Sequence, residues 1–266
     1  MQPNVSEPFE RQPHDPEPAT AAAVAMRPLM SLVIPCFNEA HTLPLLIRRI
    51  AESFTPEDES EVVLVDNGST DETPAIMTSL AGHPLIRTVR VEVNQGYGYG
   101  ILAGLRAARG RFLGWTHGDM QTDPADALRA LAIIRRAPPG TALYVKGRRH
   151  GRPLKDVVFT VGMACFETVL LRTPLWEINA QPNLFSRPFY EAVVGDAPHD
   201  FSLDLYFYHA ARRRRIPVLR FPVRFDERLH GVSHWNVDWA AKRRFIARTV
   251  EFSLELRRRV SRTRST

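Results

Sequence analysis

Segment 113–124 (LGWTHGDMQTDP) places His117, Asp119 and Gln121 at every second position after an apolar run. In an extended chain alternate residues point to one side, so these three polar side chains could face a single small ligand. Imidazole, carboxylate and amide oxygen are all groups that bind metal ions. The pattern is compatible with a metal site, with a dinucleotide-binding acid, or with a polar turn before the next helix.

Short apolar or β-branched runs alternate with stretches of helical spacing, such as residues 43–54. This alternation predicts an α/β fold, in which helices flank both faces of a mostly parallel sheet. The runs that predict strands are 30–35, 61–66, 86–91 and 111–116.

A polar cluster follows each predicted strand, and the four clusters read CFNEA, DNGSTDET, NQGYGYG and HGDMQ. Ligands of open α/β sheets bind beyond the carboxyl ends of the strands. Four such clusters at one sheet edge therefore predict a site of nucleotide size.

A run of glycines at positions 96, 98, 100 and 104 precedes Asp119 by about the distance that separates a Rossmann glycine loop from its ribose-binding acid. This keeps an NAD-dependent oxidoreductase as an alternative. Against it, the third glycine of that motif would fall on Ile101, and the run follows the third predicted strand instead of the first. The same glycines would let a helix pack closely on the sheet.

The composition limits the class of protein. A chain of 266 residues that is 44% hydrophobic can bury one α/β core with extensions. Cys36 and Cys165 have no zinc-type spacing and form no disulfide framework, so a reducing cytoplasm fits. The formal charge of +6 indicates an anionic partner. Nucleic acid is not expected as that partner, because the basic cluster in the C-terminal region, residues 257–264, lacks interleaved stacking aromatics.

Three regions are predicted along the chain. Residues 1–28 contain six prolines among polar neighbours and are expected to form a disordered tail. Residues 29–235 would form the catalytic domain, and residues 236–266 a basic amphipathic helix and tail. No stretch reaches the ~20 apolar residues of a spanning helix. The nearest, 157–171, contains Glu167.

The segments SLVIPCFNEA, EVVLVDNGSTDET, NQGYGYGILAGLRAARG and HGDMQTDP together resemble the family 2 glycosyltransferases of the Rossmann-like GT-A fold, and most of all their dolichyl- or polyprenyl-phosphate sugar transferases. The likeness extends over about residues 30–235. It implies an inverting hexosyltransferase that moves a sugar from a nucleotide-sugar to a polyprenyl phosphate. The expected enzyme is cytoplasmic and peripherally associated with the membrane.

The resemblance also implies a donor site. The loop from Pro35 through Asn38 to Glu39, together with Asp66, would hold the base and ribose, with Gly96 beside them. The family's second motif commonly has two aspartates, whereas this chain has an asparagine after Asp66.

By the same resemblance, Asp119 and Gln121 match the end of the family's DxDxQ and would hold a divalent cation, Mn²⁺ or Mg²⁺, on the diphosphate. His117 stands in place of the first aspartate of that motif. Imidazole suits manganese better than magnesium, so this substitution favours Mn²⁺.

On the acceptor side, Arg149 matches the family's GxR arginine, and Arg228, Gly231 and Ser233 match its RxxGxS pattern. Arginine offers a planar fork to phosphate oxygens, glycine permits close approach of the backbone, and serine adds a hydroxyl donor. A solvated basic loop is the structural alternative.

The acceptor determines whether a catalytic base is needed. A sugar hydroxyl must lose a proton during attack, whereas a phosphate monoester is already largely anionic at neutral pH. Asp200 and Asp204 are the possible bases, and the family pattern favours Asp204. Transfer to a saccharide hydroxyl therefore remains an alternative, as does a degenerate nucleotide-sugar-binding protein.

The last region has an apolar helical face that includes Phe252 and Leu256, opposite charged residues such as Arg248 and Glu255. Packing against the catalytic domain is the simplest interpretation. A basic amphipathic helix also suits an anionic membrane surface, which is the second interpretation.

Overall fold

The structure, a computed structural model, describes residues 27–226 and 239–262. These residues form seven strands: β1 Met30–Cys36, β2 Ser60–Asn67, β3 Ile86–Val91, β4 Phe112–Trp115, β5 Tyr144–His150, β6 Asn183–Ser186 and β7 Val218–Arg224. The strands form one sheet in the order β3-β2-β1-β4-β6-β5-β7. The four strand predictions are thus confirmed.

The sheet is mixed but mostly parallel. β1 pairs in parallel with β2 and β4, β2 with β3, and β5 with β7. The short strand β6 lies antiparallel between β4 and β5. This arrangement confirms the predicted fold class and brings the carboxyl ends of β1, β2 and β4 to one edge.

Helices cover both faces of the sheet within the described residues. The helices are α1 Leu43–Ser53, α2 Thr73–Thr78, α3 Tyr97–Ala107, α4 Asp126–Arg135, α5 Leu154–Leu171, α6 Arg187–Val193, α7 Leu203–Arg213 and α8 Trp239–Arg262. Successive residues of β1 and β2 point to opposite faces of the sheet. Val33 therefore packs in one hydrophobic cluster with helices α3, α6, α7 and α8, while Leu32 packs in the other with α1 and α4.

The glycine run lies on α3 and at its start, where it allows close contact with the sheet. A Cβ atom on Gly104 would come within 2.4 Å of Val33 Cγ1, and one on Gly100 within 2.7 Å of the Asn67 side chain. Gly96 adopts a φ of 110° against the His199 carbonyl. Gly100 and Gly104 thus serve the close helix–sheet packing that the glycine spacing predicted, whereas Gly96 packs on the loop at His199.

Helix α8 packs on α5, where Ser253 Oγ donates a hydrogen bond of 2.7 Å to Glu167 Oε1. Leu256 is buried and Phe252 packs against the same core, whereas Arg248 and Glu255 are exposed. The packing interpretation of this helix is therefore confirmed. Among the described helices, none combines the length and apolar character that crossing a bilayer requires.

Candidate active site

A cavity of about 520 Å³ opens at the carboxyl ends of β1, β2 and β4. It is bordered by side chains from all four polar clusters that follow the predicted strands, as the sequence led us to expect. The predicted site residues that line it are Pro35, Glu39, Gly96, His117, Asp119, Gln121, Arg149 and Asp204.

The loop after β4 does not continue as an extended strand. β4 ends at Trp115, and Met120 has a left-handed backbone conformation with a φ of 58°. The prediction that these residues alternate along an extended chain is therefore wrong. His117, Asp119 and Gln121 nevertheless all line the cavity.

Asp119 is nearly buried, and its Oδ1 accepts a hydrogen bond of 3.2 Å from the backbone N–H of Gln121. The Gln121 amide in turn donates to the Asp226 carbonyl at 3.3 Å. The hydroxyls of Thr116 and Thr122 lie 3.2 Å apart and close the loop at its base. The loop itself therefore holds the carboxylate at the cavity wall.

Asp119, His117 and Gln121 are the candidate side chains for a divalent cation. The described residues contain no group of three His, Cys, Asp or Glu side chains arranged to hold one. Mg²⁺ sites, however, commonly use one or two carboxylates while substrate phosphates complete the coordination shell. Asp119, with His117 and Gln121 beside it, fits a cation that arrives together with a diphosphate.

Two predicted nucleoside contacts, the buried Asp66 and the exposed Asn38, do not line the described cavity. The buried Asp66 carboxylate accepts the Ser69 N–H at 2.9 Å and contacts Arg90 Nη1 at 3.1 Å. Asn38 Oδ1 accepts the Thr70 N–H at 2.9 Å. Both side chains join neighbouring loops, and neither is among the described residues that line the cavity.

Asn67 lines the cavity instead. Its Nδ2 donates to the Gly96 carbonyl at 3.0 Å. Its Oδ1 is buried and has no hydrogen-bond partner among the described residues. The position that departs from the family's paired aspartates is thus the one that reaches the cavity.

Two arginines that line the cavity, Arg149 and Arg152, share one carboxylate, that of Glu177. Glu177 Oε2 accepts from Arg149 Nε at 2.8 Å, and Glu177 Oε1 accepts from Arg152 Nη2 at 2.6 Å. Arg152 Nη1 also donates to Thr160 Oγ1 at 2.9 Å. All three charged side chains are nearly buried. Together they carry one excess positive charge, which the carboxylate of Asp156, also in the cavity lining, partly offsets at Arg152.

Sequence reasoning missed Arg152 and Glu177. Arg152 belongs to the run GRRHGR, in which no local signal separates it from its neighbours. Glu177 lies 25 residues farther along the chain than Arg152. Only the fold brings the two together.

A second buried network supports Asp204. Lys146 Nζ donates to Asn183 Oδ1 and to the Ala180 carbonyl, both at 2.6 Å, and Asn183 Nδ2 donates to Asp204 Oδ1 at 2.8 Å. Burial lowers the pKa of Lys146 to about 7. Burial also raises the pKa of Asp204, an effect that the charges of Lys146 and His117 oppose.

The two remaining predictions concern Asp200 as a possible base and the RxxGxS motif. Asp200 uses its Oδ1 to accept the Ser202 N–H and is not among the described residues that line the cavity. Phe201 beside it does line the cavity and stacks on Tyr97 with ring centroids 4.7 Å apart. The motif formed by Arg228, Gly231 and Ser233 lies outside the described residues.

The sheet and its cavity define the class of protein, the GT-A glycosyltransferase fold. A mannosyltransferase from Pyrobaculum calidifontis, solved in complex with GDP-Man and Mn²⁺, superposes with a TM-score of 0.56 at 26% identity, covering 77% of this chain and 58% of that one. Residues 31–160 match the model of glycosyl transferase family 2. Residues 31–160 thus form a domain of this family, which confirms the resemblance carried by the motifs.

Curated relatives carry more specific names. The undecaprenyl-phosphate 4-deoxy-4-formamido-L-arabinose transferase of Edwardsiella ictaluri is 35% identical over 78% of this chain and 63% of its own length. The dodecaprenyl-phosphate galacturonate synthase of Rhizobium johnstonii is 29% identical over 71% of this chain and 50% of its own. The chain thus spans about half of these relatives, or slightly more.

Proposed function

We propose that this protein is an inverting hexosyltransferase that moves a sugar from a nucleotide-sugar to a polyprenyl phosphate at the cytoplasmic face of a membrane. One observation carries the proposal: a single cavity is lined both by a carboxylate suited to a cation, Asp119, and by an arginine pair that Glu177 holds in place. The names of the relatives support polyprenyl phosphate as the acceptor.

On the donor side, Asp119, His117 and Gln121 would hold Mn²⁺ or Mg²⁺. The cation, when bound, supplies positive charge that stabilises the leaving nucleoside diphosphate. Glu39 and Asn67 would contact the nucleoside, because both line the cavity. Asp66 would act indirectly, by holding the loop that begins at Ser69.

On the acceptor side, Arg149 and Arg152 would bind the lipid phosphate. Glu177 fixes both guanidinium groups before the ligand arrives, which lowers the entropy cost of forming a charge-assisted contact. We also assign Arg228, Gly231 and Ser233 to this side, on the family pattern alone.

A phosphate acceptor needs no catalytic base, and the setting of Asp204 is consistent with that. Its carboxylate is almost fully buried and is held by Asn183. We propose that Asp204, held by Asn183, positions the part of the cavity near His117 and does not act as a base. Under the alternative of a saccharide hydroxyl, Asp204 would be the base.

We further propose that α5 contacts the membrane, because several of its large apolar side chains are exposed. Its Glu167 points inward to Ser253, whereas Leu154 and Val169 are each 77% exposed. A contiguous apolar helix face in this orientation suits a lipid surface. Phe159 joins this face to the cavity, which it also lines.

The basic extension, residues 236–266, would add attraction to anionic lipids, since Arg257 and Arg258 are exposed on α8. Residues 29–235 would then form the catalytic unit. The Pro-rich residues 1–28 would take no part in catalysis.

The decisive experiment incubates labelled UDP- and GDP-sugars with polyprenyl phosphate and either Mg²⁺ or Mn²⁺, and measures the label that enters the organic phase. Asp119→Asn is the control, because asparagine retains an Oδ1 acceptor for Gln121 but loses the charge. We expect its turnover to fall by about 100-fold or more. Label found only in water-soluble saccharide would refute the lipid acceptor. Donor binding with no turnover on any acceptor would favour the degenerate binding protein.

A further inference from the structure

A second cavity, of about 700 Å³, lies at the opposite edge of the sheet. We call it the arginine basin, because Arg27, Arg87, Arg109 and Arg187 line it. Ser60, the first residue of β2, also lines it, while Asn67 at the other end of β2 lines the active-site cavity. Strands rise about 3.3 Å per residue, so the two cavities are roughly 20 Å apart.

The charge of the basin is unbalanced. Its only described carboxylate is Glu61, which accepts hydrogen bonds of 2.6 Å from Ser31 Oγ and from the Arg109 N–H, and faces Arg87 Nη1 at 3.5 Å. Four arginines and one glutamate leave three net positive charges around one depression.

The arginines fall into two pairs. Arg87 and Arg187 are anchored by backbone carbonyls: Arg87 Nη1 donates to Ala107 at 2.7 Å, and Arg187 donates to Ala108 and Gly110, both at 2.9 Å. The guanidinium groups of Arg27 and Arg109 are exposed and donate no hydrogen bond to another described residue. Burial, and then the charge of Arg27, lowers the pKa of Arg187. The guanidinium groups of Arg27 and Arg187 therefore repel each other, an effect that Glu191 and Glu61 partly offset.

We propose that the arginine basin binds a small molecule that carries a diphosphate or an equivalent pair of phosphate charges. Guanidinium forks match phosphate oxygens, and a bound polyanion would relieve the repulsion between Arg27 and Arg187. The volume lies within the range of small-molecule sites. No Phe, Tyr or Trp among the described residues lines the basin, which argues against stacked nucleic-acid bases. The site is separate from the proposed glycosyl transfer and does not depend on it.

Pyrophosphate is the probe, used with the full chain and without divalent cation, and hydrogen–deuterium exchange locates where it binds. We expect protection of residues 27–31, 83–87 and 107–110. Protection confined to the loops around the active-site cavity would overturn the site.

Calorimetric titration then compares two variants of equal charge change. Arg27→Gln/Arg109→Gln removes the unanchored pair, whereas Arg212→Gln/Arg213→Gln changes exposed arginines at the end of α7. We expect the first variant to bind pyrophosphate about tenfold more weakly or worse, since each charge-assisted contact is worth roughly that factor. The second variant should bind like the wild type. Equal losses in both variants would mean that net charge alone attracts pyrophosphate, and would refute the proposal.

Discussion

At the scale of single residues, His117 stands where the resemblance places an aspartate, and it lines the same cavity as Asp119. If the imidazole is a metal ligand, activity should favour Mn²⁺ over Mg²⁺, and His117→Asp should move that preference toward Mg²⁺. Transferase assays with each cation test this. The control is His150→Asp, which replaces an exposed histidine at the end of β5. This variant should keep the wild-type preference for the cation. An unchanged ratio in His117→Asp would leave Asp119 and Gln121 as the metal side chains.

Arg152 is the residue on which the acceptor assignment can be tested. Lysine keeps its charge but loses the planar fork that contacts both Glu177 and Thr160. We expect KM for polyprenyl phosphate to rise about tenfold in Arg152→Lys and about 100-fold in Arg152→Ala. Arg148→Ala, which changes an exposed arginine of β5 four residues before Arg152, should match the wild type in steady-state kinetics. If both Arg152 variants had the wild-type KM, the arginine pair would only stabilise the fold.

At the scale of elements, the contact of α3 with the sheet depends on the absence of side chains. The Cβ atom of Gly104→Ala would lie 2.4 Å from Val33 Cγ1 and 2.7 Å from Val65 Cγ2. We expect this overpacking to lower the free energy of unfolding by about 1–3 kcal/mol. Gly162→Ala in α5 is the matched change, because its Cβ would meet nothing within 4 Å, and it should stabilise by up to ~1 kcal/mol. Urea unfolding measures both. Equal effects would mean that α3 does not pack as described.

The outward face of α5 makes a prediction about lipid binding. Val158→Glu and Val169→Glu place a charge on that face, whereas Val93→Glu changes a comparably exposed valine elsewhere. Sedimentation with anionic vesicles should show binding at least about tenfold weaker in the first two variants, because inserting a valine is worth roughly 1.5 kcal/mol or more. Binding through α5 should persist in high salt, unlike attraction by the basic extension. Equal binding by all three variants would exclude α5 as the contact.

At the scale of the whole molecule, Glu167 links stability to pH. Burial raises the pKa of this carboxyl to about 7, and one of its oxygens has no partner among the described residues. The folded state therefore keeps a proton that the unfolded chain releases above about 4.5. Stability should fall by roughly 3 kcal/mol as the pH rises from about 4.5 to about 7, and level off above that.

Urea unfolding at pH 5 and pH 8 tests this linkage. Glu167→Gln is neutral at both pH values, so its free energy of unfolding should not show the decrease caused by the carboxyl. Glu251→Gln, which changes an exposed residue of α8, should still show that decrease. His209, whose pKa burial lowers to about 4, acts in the opposite direction as the pH falls below about 6.5. The difference between Glu167→Gln and the wild type therefore isolates the carboxyl. The linkage is wrong if the two pH values give Glu167→Gln the same stability change as the wild type.

Several features of this molecule could be predicted from sequence because their signals are local. The central parallel strands appear as mainly apolar runs and the edge strand β3 as a β-branched run with alternating exposure, so β1 to β4 were found within two residues of their ends. Polar clusters after those runs must meet at one sheet edge, which located the cavity. The order of the motifs identified the family, and the spacing of the glycines predicted a helix packed closely on the sheet.

What only the tertiary structure decided depends on contacts between distant parts of the chain. Glu177 joins Arg149 and Arg152 across 28 and 25 residues, and Asn183 reaches Asp204 across 21. Spacing along the chain encodes periodicity within one element but not which elements become neighbours. For the same reason, the sequence does not show that Glu167 points inward on α5. Its partner Ser253 lies on α8, 86 residues farther along the chain.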